Sequence, residues 1–126
     1  MEDNFGLSNN AEEEMWAIGF EGCDNIRGIF KVGQGNASKT MNNVAGIFKR
    51  LLLTNSTSFV IFHNHPSGLS EPTEEDISTT SFLQTLGFMM EIVLIDHIVV
   101  AKDGTASTAN ILKERGEWDW TEEKMF

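Results

Sequence analysis

The chain is short of several things whose presence would place it at once. Its 126 residues include one cysteine, two prolines and no tyrosine. A single thiol, Cys23, closes no disulfide within the chain, which excludes a disulfide-stapled scaffold. Cys23 reads as a small residue near a turn. So little proline, beside 40% apolar residues, argues against disorder. No segment approaches the roughly 20 apolar residues that a membrane-spanning helix needs. The opening Met1-Glu2-Asp3-Asn4 lacks the basic stretch of a secretory leader. The expectation is a cytoplasmic protein with no membrane partner. Basic residues are scarce too: 9 Lys and Arg stand against 19 Asp and Glu, a net charge of -10. Proteins that grip phosphate backbones carry a basic patch. Here the basic residues are scattered apart from Lys49-Arg50, so direct DNA binding by this domain is disfavoured.

What the chain does have is concentrated in Phe59-Val60-Ile61-Phe62-His63-Asn64-His65-Pro66-Ser67-Gly68 and the residues up to Asp76. Four apolar residues without alternation read as a strand covered on both faces. Two histidines one residue apart end it, and strand alternation points both the same way. Pro66, Gly68 and Pro72 make a turn-rich linker. Thr73 then caps a helix, with Asp76 three residues on. Such a loop can fold back and bring the first helical turn to the strand end. Two imidazoles and one carboxylate suit Zn2+, and three protein ligands leave a position for water, as in catalytic rather than structural sites. The plainer alternative is that Asp76 only closes a capping box with Thr73 and that the histidines only finish a strand.

His63-x-His65 followed after ten residues by Asp76 resembles the metal motif of the JAMM (MPN+) metalloprotease superfamily. The longer run His63 to Gly68, with Glu71-Pro72-Thr73 and Asp76, is similar to its bacterial RadC-like branch. Gly35 and Asp96-His97-Ile98-Val99-Val100 match on either side, so the resemblance covers roughly residues 12 to 116. It implies a cytidine-deaminase-like α/β domain: a mixed, mainly antiparallel sheet flanked by helices on both sides. It implies a zinc hydrolase that cuts a peptide or isopeptide bond in a protein substrate, with His63, His65 and Asp76 holding the metal. The family's glutamate at the start of its first strand falls on Glu14, which would be the general base. The family's serine three residues before the metal aspartate, which stabilises the oxyanion, is replaced here by Thr73. The threonine keeps the hydroxyl but adds a methyl and a stiffer χ1. Ser67 is the other candidate hydroxyl, and it better fits loop shaping. Two other classes stand beside hydrolysis: a non-catalytic metal-binding interaction module, and an accessory protein of DNA repair or mobile-element maintenance that works through protein contacts. The sequence leaves the oligomeric state open.

Along the chain, residues 1–11 read as a loose tail and 12–116 as the domain. Glu14 to Phe20 is predicted as a strand, with Trp16, Ile18 and Phe20 on its buried face. Ile26 to Val32 is predicted as its hairpin partner. A helix is expected from Ala37 or Ser38 to about Leu53, turning Met41, Val44, Ala45, Phe48 and Leu52 inward at helical spacing. A second helix is expected from Glu74 to Leu86, with Gly87 as its stop. Met89 to Ile95 and His97 to Ala101 read as strands, Asp103-Gly104 as a hairpin turn, and Thr105 to Thr108 as a short strand. His97 reads as a hydrogen-bonded structural residue, with a supporting role at the metal as the alternative. The tail 117–126 carries two exposed-looking tryptophans, Trp118 and Trp120, which either fold back on the domain or meet a partner.

Overall fold

The computed structural model describes residues 12–22, 24–34 and 43–118. Cys23, Gly35, Ala37, Ser38, Met41, Trp120 and the tail 1–11 lie outside them. The elements run β1 (Glu14–Glu21), β2 (Asn25–Gln34), α1 (Val44–Leu53), β3 (Ser58–Asn64), α2 (Glu74–Met89), β4 (Val93–Ala101), β5 (Gly104–Ser107) and α3 (Thr108–Glu114). One five-stranded sheet has the order β2-β1-β3-β4-β5. The β3–β4 ladder is parallel and the other three are antiparallel. This is the mixed, mainly antiparallel α/β architecture that the sequence leads one to expect.

β3 is buried along its whole length, as its unbroken apolar run requires. Its alternate residues feed two cores. Phe59 and Ile61 join Met15, Ala17, Val32 and Leu94 in one cluster, and Val60 and Phe62 join Ile18 and Val100 in the other. Burying a side chain of this size is worth about 1.5–3 kcal/mol. β2, β3 and β4 run the same way, and the crossovers through α1 and α2 both step towards β5. Right-handed crossovers that step in one direction lie on one face. Accordingly α1, α2 and α3 all send their buried apolar residues to the Phe59–Ile61 cluster, so the described helices flank one face of the sheet where helices on both sides were expected. Among the described residues, strands alone build the other cluster.

Several local expectations are corrected. The inward side of α1 is Ile47, Phe48 and Leu51 with Val44 packed against them, whereas Ala45 is exposed and Leu52 is 53% exposed. The predicted stripe is rotated because three successive leucines leave the phase open. Packing fixes it, with Phe48 edge-on to Phe59 at 5.7 Å. α2 runs through Gly87 to Met89, and the chain leaves it with Glu91 at φ 59°. Gly87 is instead a close-approach residue: a Cβ there would sit 2.3 Å from the Ile92 carbonyl oxygen. The two strands read in residues 89–101 are one, β4, with a register irregularity at Ile95 where Phe59 pairs with Leu94 and Val60 with Asp96. Ser107 ends β5 and caps α3 by accepting from the Asn110 N–H, so Thr108, read as the end of a strand, and residues 109–114, for which no element was expected, form a third helix. Of the two alternatives for Trp118, folding back on the domain is the one observed: it is buried in the main core.

Candidate metal centre

His63 and His65 stand where β3 ends, both buried, with ring centroids 5.0 Å apart. The linker that follows is pinned to the β4–β5 hairpin. His65 N–H donates to the Val100 carbonyl, Asp103 N–H to the Gly68 carbonyl and Ser70 N–H to the Asp103 carboxylate. Ser67 accepts weakly from Leu69 N–H at 3.4 Å within that loop. The linker thus returns the start of α2 to the strand end, and Asp76 arrives 1% exposed.

Asp76 touches both histidines. Its Oδ1 lies 3.3 Å from His63 Nδ1, and its Oδ2 lies 2.9 Å from His65 Nε2. The same Oδ2 accepts from Thr73 N–H at 2.9 Å while the Thr73 hydroxyl accepts from Asp76 N–H at 3.1 Å. Asp76 therefore closes the capping box and faces the imidazoles together; the two readings of it are compatible. Burial would raise its pKa, but the adjacent His63 imidazole and the hydrogen bonds with His65 and Thr73 outweigh that and hold it well below the usual carboxylate range. The bond to Asp76 raises His65 above its ordinary value against the opposing effect of burial. His65 Nδ1 lies 3.0 Å from the Leu69 carbonyl. A proton held there leaves Nε2 as the ligand nitrogen, the usual way a metal histidine is oriented.

The glutamates divide differently from the sequence expectation. Glu14 turns to the other side of β1, where Oε1 accepts from Trp16 Nε1 at 3.1 Å and Oε2 pairs with Lys31 Nζ at 3.3 Å. Glu13 is the one beside the histidines, its Oε2 3.6 Å from His63 Nε2. Glu13, His63 and His65 each offer a donor atom, all within 4.8 Å of one another. The reason is register. Met15 is opposite His63 and Ala17 is opposite Ile61, so odd-numbered β1 residues share the histidines' face. The larger Trp16, Ile18 and Phe20 draw attention to the wrong face of a strand buried on both.

The donor set fits a cation on the structure's own terms. Both nitrogens of His63 are buried without a hydrogen-bond partner among the described residues, and buried polar atoms are rarely left so. The donors that converge within 4.8 Å are those of Glu13, His63 and His65, while Asp76 meets the two imidazoles through different oxygens, Oδ1 at His63 Nδ1 and Oδ2 at His65 Nε2.

Behind the site, His97 is fully buried. The Thr80 hydroxyl donates to the Asp76 carbonyl at 2.7 Å and lies 2.7 Å from His97 Nδ1. With that proton committed, His97 Nδ1–H is the donor to Thr80. Burial, reinforced by His63, lowers the His97 pKa to about 3, so the ring is neutral. Neither Thr80 nor Glu13 was singled out by sequence pattern. The odd parity of Glu13 with Met15 was the available signal.

Residues 2–115 match the family model of the RadC-like JAB domain. The chain is 35% identical over 112 residues to a UPF0758 protein of Clostridium beijerinckii, covering 88% of this chain and 47% of that one. It is 37% identical over 94 residues to a UPF0758 protein of Salinibacter ruber, covering 75% and 39%. A Clostridium botulinum UPF0758 protein gives 36% over 106 residues, 83% and 44%. The chain thus spans about half the length of the curated relatives it matches. No helix among the described residues is long and apolar enough to cross a membrane. With the sheet order, the strand-end histidines and a match along nearly its whole length in agreement, the chain belongs to the RadC-like JAB domain family.

Proposed function

We propose that the chain is a zinc-dependent hydrolase of amide bonds, of the metalloprotease or isopeptidase type. His63, His65 and Asp76 would hold the ion, which supplies Lewis acidity to a carbonyl and acidity to a water. The observation that carries the reading is the Glu13 carboxylate 3.6 Å from a buried, unpartnered nitrogen of His63. The three ligands offer no proton shuttle, and Glu13 supplies one: it takes the proton from the attacking water and returns it to the leaving amine. Glu13 replaces Glu14 in this role, because the Glu14 carboxylate is paired on the other side of the strand. Thr73 serves as the hydroxyl facing the developing oxyanion. Its cap bond uses an oxygen lone pair and leaves the O–H proton to donate. The substrate is a peptide or protein, and the acidic net charge supports protein contacts over DNA.

The test compares wild type, Glu13→Gln and His63→Ala by metal content and by cleavage of a fluorogenic peptide library and isopeptide-linked peptides. The reading expects Glu13→Gln to keep the metal and lose cleavage, and His63→Ala to lose both. Metal-loaded wild type that cuts nothing in either set, or Glu13→Gln that cuts normally, overturns it.

A further inference from the structure

Asn64 stands between the two histidines, and strand alternation sends its side chain to the opposite face from theirs. It is 1% exposed. The β1–β3 ladder stops at Met15 opposite His63, while Asn64 pairs through its backbone with Val100 of β4. Its carboxamide continues towards β1 where the ladder stops. Oδ1 accepts from Glu14 N–H at 2.5 Å, and Nδ2 donates to the Glu12 carbonyl at 2.8 Å. These two peptide groups flank Glu13. A carboxamide, with an acceptor and a donor on one carbon, imitates a strand edge at this point. Aspartate has the same shape but lacks the donor.

We propose that Asn64 is the positioning residue for Glu13: by clamping the Glu12 and Glu14 peptide groups it fixes the Glu13 carboxylate at the histidine pair. This rests on the reading of Glu13 given above. Glu13 precedes the first residue of β1, beyond the last pair of the β1–β3 ladder, and its carboxylate must be placed to within a fraction of an ångström. Misplacing a catalytic group by ~1 Å costs up to about 100-fold in rate. The clamp and the histidines belong to one stretch of β3, so the strand that carries the ligands also sets the base.

The test uses Co2+ as the probe metal in wild type, Glu13→Ala, Asn64→Ala, Asn64→Asp and the double variant Glu13→Ala/Asn64→Ala. Metal stoichiometry, the visible Co2+ spectrum and cleavage kinetics are read for each. All are expected to bind one Co2+ per chain. Asn64→Ala is expected to reproduce the spectral change of Glu13→Ala, and the double variant to add nothing further, as coupled residues do. Asn64→Asp keeps one of the two bonds and falls between wild type and Asn64→Ala. With a cleavable peptide, kcat drops by about 10- to 100-fold in Asn64→Ala while KM stays put. An Asn64 that only stabilises the fold would lower the melting temperature and leave the spectrum and kcat of the loaded, folded protein at wild-type values; that result overturns the proposal. Should Asn64→Ala not fold, Asn64→Asp carries the same comparison. A Glu13→Ala protein with an unchanged spectrum and unchanged cleavage overturns the reading of Glu13 and the clamp with it, whereas a Glu13→Ala effect that Asn64 variants do not share overturns the clamp alone.

Discussion

Met15 stands directly opposite His63 across the β1–β3 ladder, and this pairing decides which of three consecutive glutamates meets the histidines. Partners across a ladder share a face. Counting back two residues from Met15 lands on Glu13, and counting back one lands on the opposite side, where Trp16 and Lys31 engage Glu14.

The two glutamates should therefore separate cleanly by mutation. Glu13→Gln is expected to lower kcat by about 10²–10⁴-fold, the usual worth of a general base. Glu14→Gln should leave kcat near wild type. It gives up a pair with Lys31, which is 37% exposed, and such pairs contribute at most about 1 kcal/mol. Steady-state kinetics and denaturant midpoints for both variants check this.

Thr73 carries two separable duties, the helix cap and the proposed oxyanion donor. Thr73→Ala should destabilise the metal-free protein by about 1 kcal/mol through loss of the cap. The same change should cost about 10²–10³-fold in kcat through loss of the donor. Thr73→Ser should restore both. A serine variant that regains stability but not rate would assign the threonine to the cap alone.

The neutral His97 ring makes the fold sensitive to acid. Its folded-state pKa of about 3 lies below the ordinary 6.5. Between those values the unfolded chain takes up a proton that the folded chain refuses. Stability is thus fully present above pH 6.5 and falls with acidification, by at most about 1.4 kcal/mol per pH unit. His65 acts in the opposite sense: its raised pKa gives stability that is present below 6.5 and lost as pH rises through the folded value. Comparing metal-free wild type with His97→Gln by denaturant unfolding isolates the first effect. The stability advantage of wild type should shrink as the pH falls from 6.5.

Gly87→Ala should be among the more damaging single-methyl changes. The added carbon meets a backbone carbonyl at 2.3 Å, and the Phe59 ring at 3.3 Å closes the other side. Overpacking of this kind typically costs about 1–3 kcal/mol, and here the obstacle is backbone that cannot swing away. Thermal unfolding of Gly87→Ala beside Gly46→Ala provides the comparison, since at Gly46 the nearest atom belongs to the Asn43 side chain.

Much of the site was legible because its parts are local. Strand alternation alone aligns His63 with His65, and the spacing from Thr73 to Asp76 alone announces a helix start. The sheet was legible for a similar reason, since β3 is apolar without a break. What escaped depends on contacts between distant segments. The face of β1 that carries Glu13 is set by pairing with β3, 48 residues along the chain at Met15 and His63. The phase of α1 is set by Phe59, and the role of Gly87 by the Ile92 carbonyl. α3 was missed because its seven residues follow β5 without a break, and its cap, Ser107, is also the last residue of a strand.

The double duty of Asp76 has a further consequence. One oxygen of its carboxylate is tied to the Thr73 amide without the help of any ion, so stripping the centre with a chelator is expected to leave the second helix anchored at its beginning. The scaffold can outlive its chemistry: a descendant that discarded the histidines would keep its shape, and a descendant that discarded the aspartate would forfeit both.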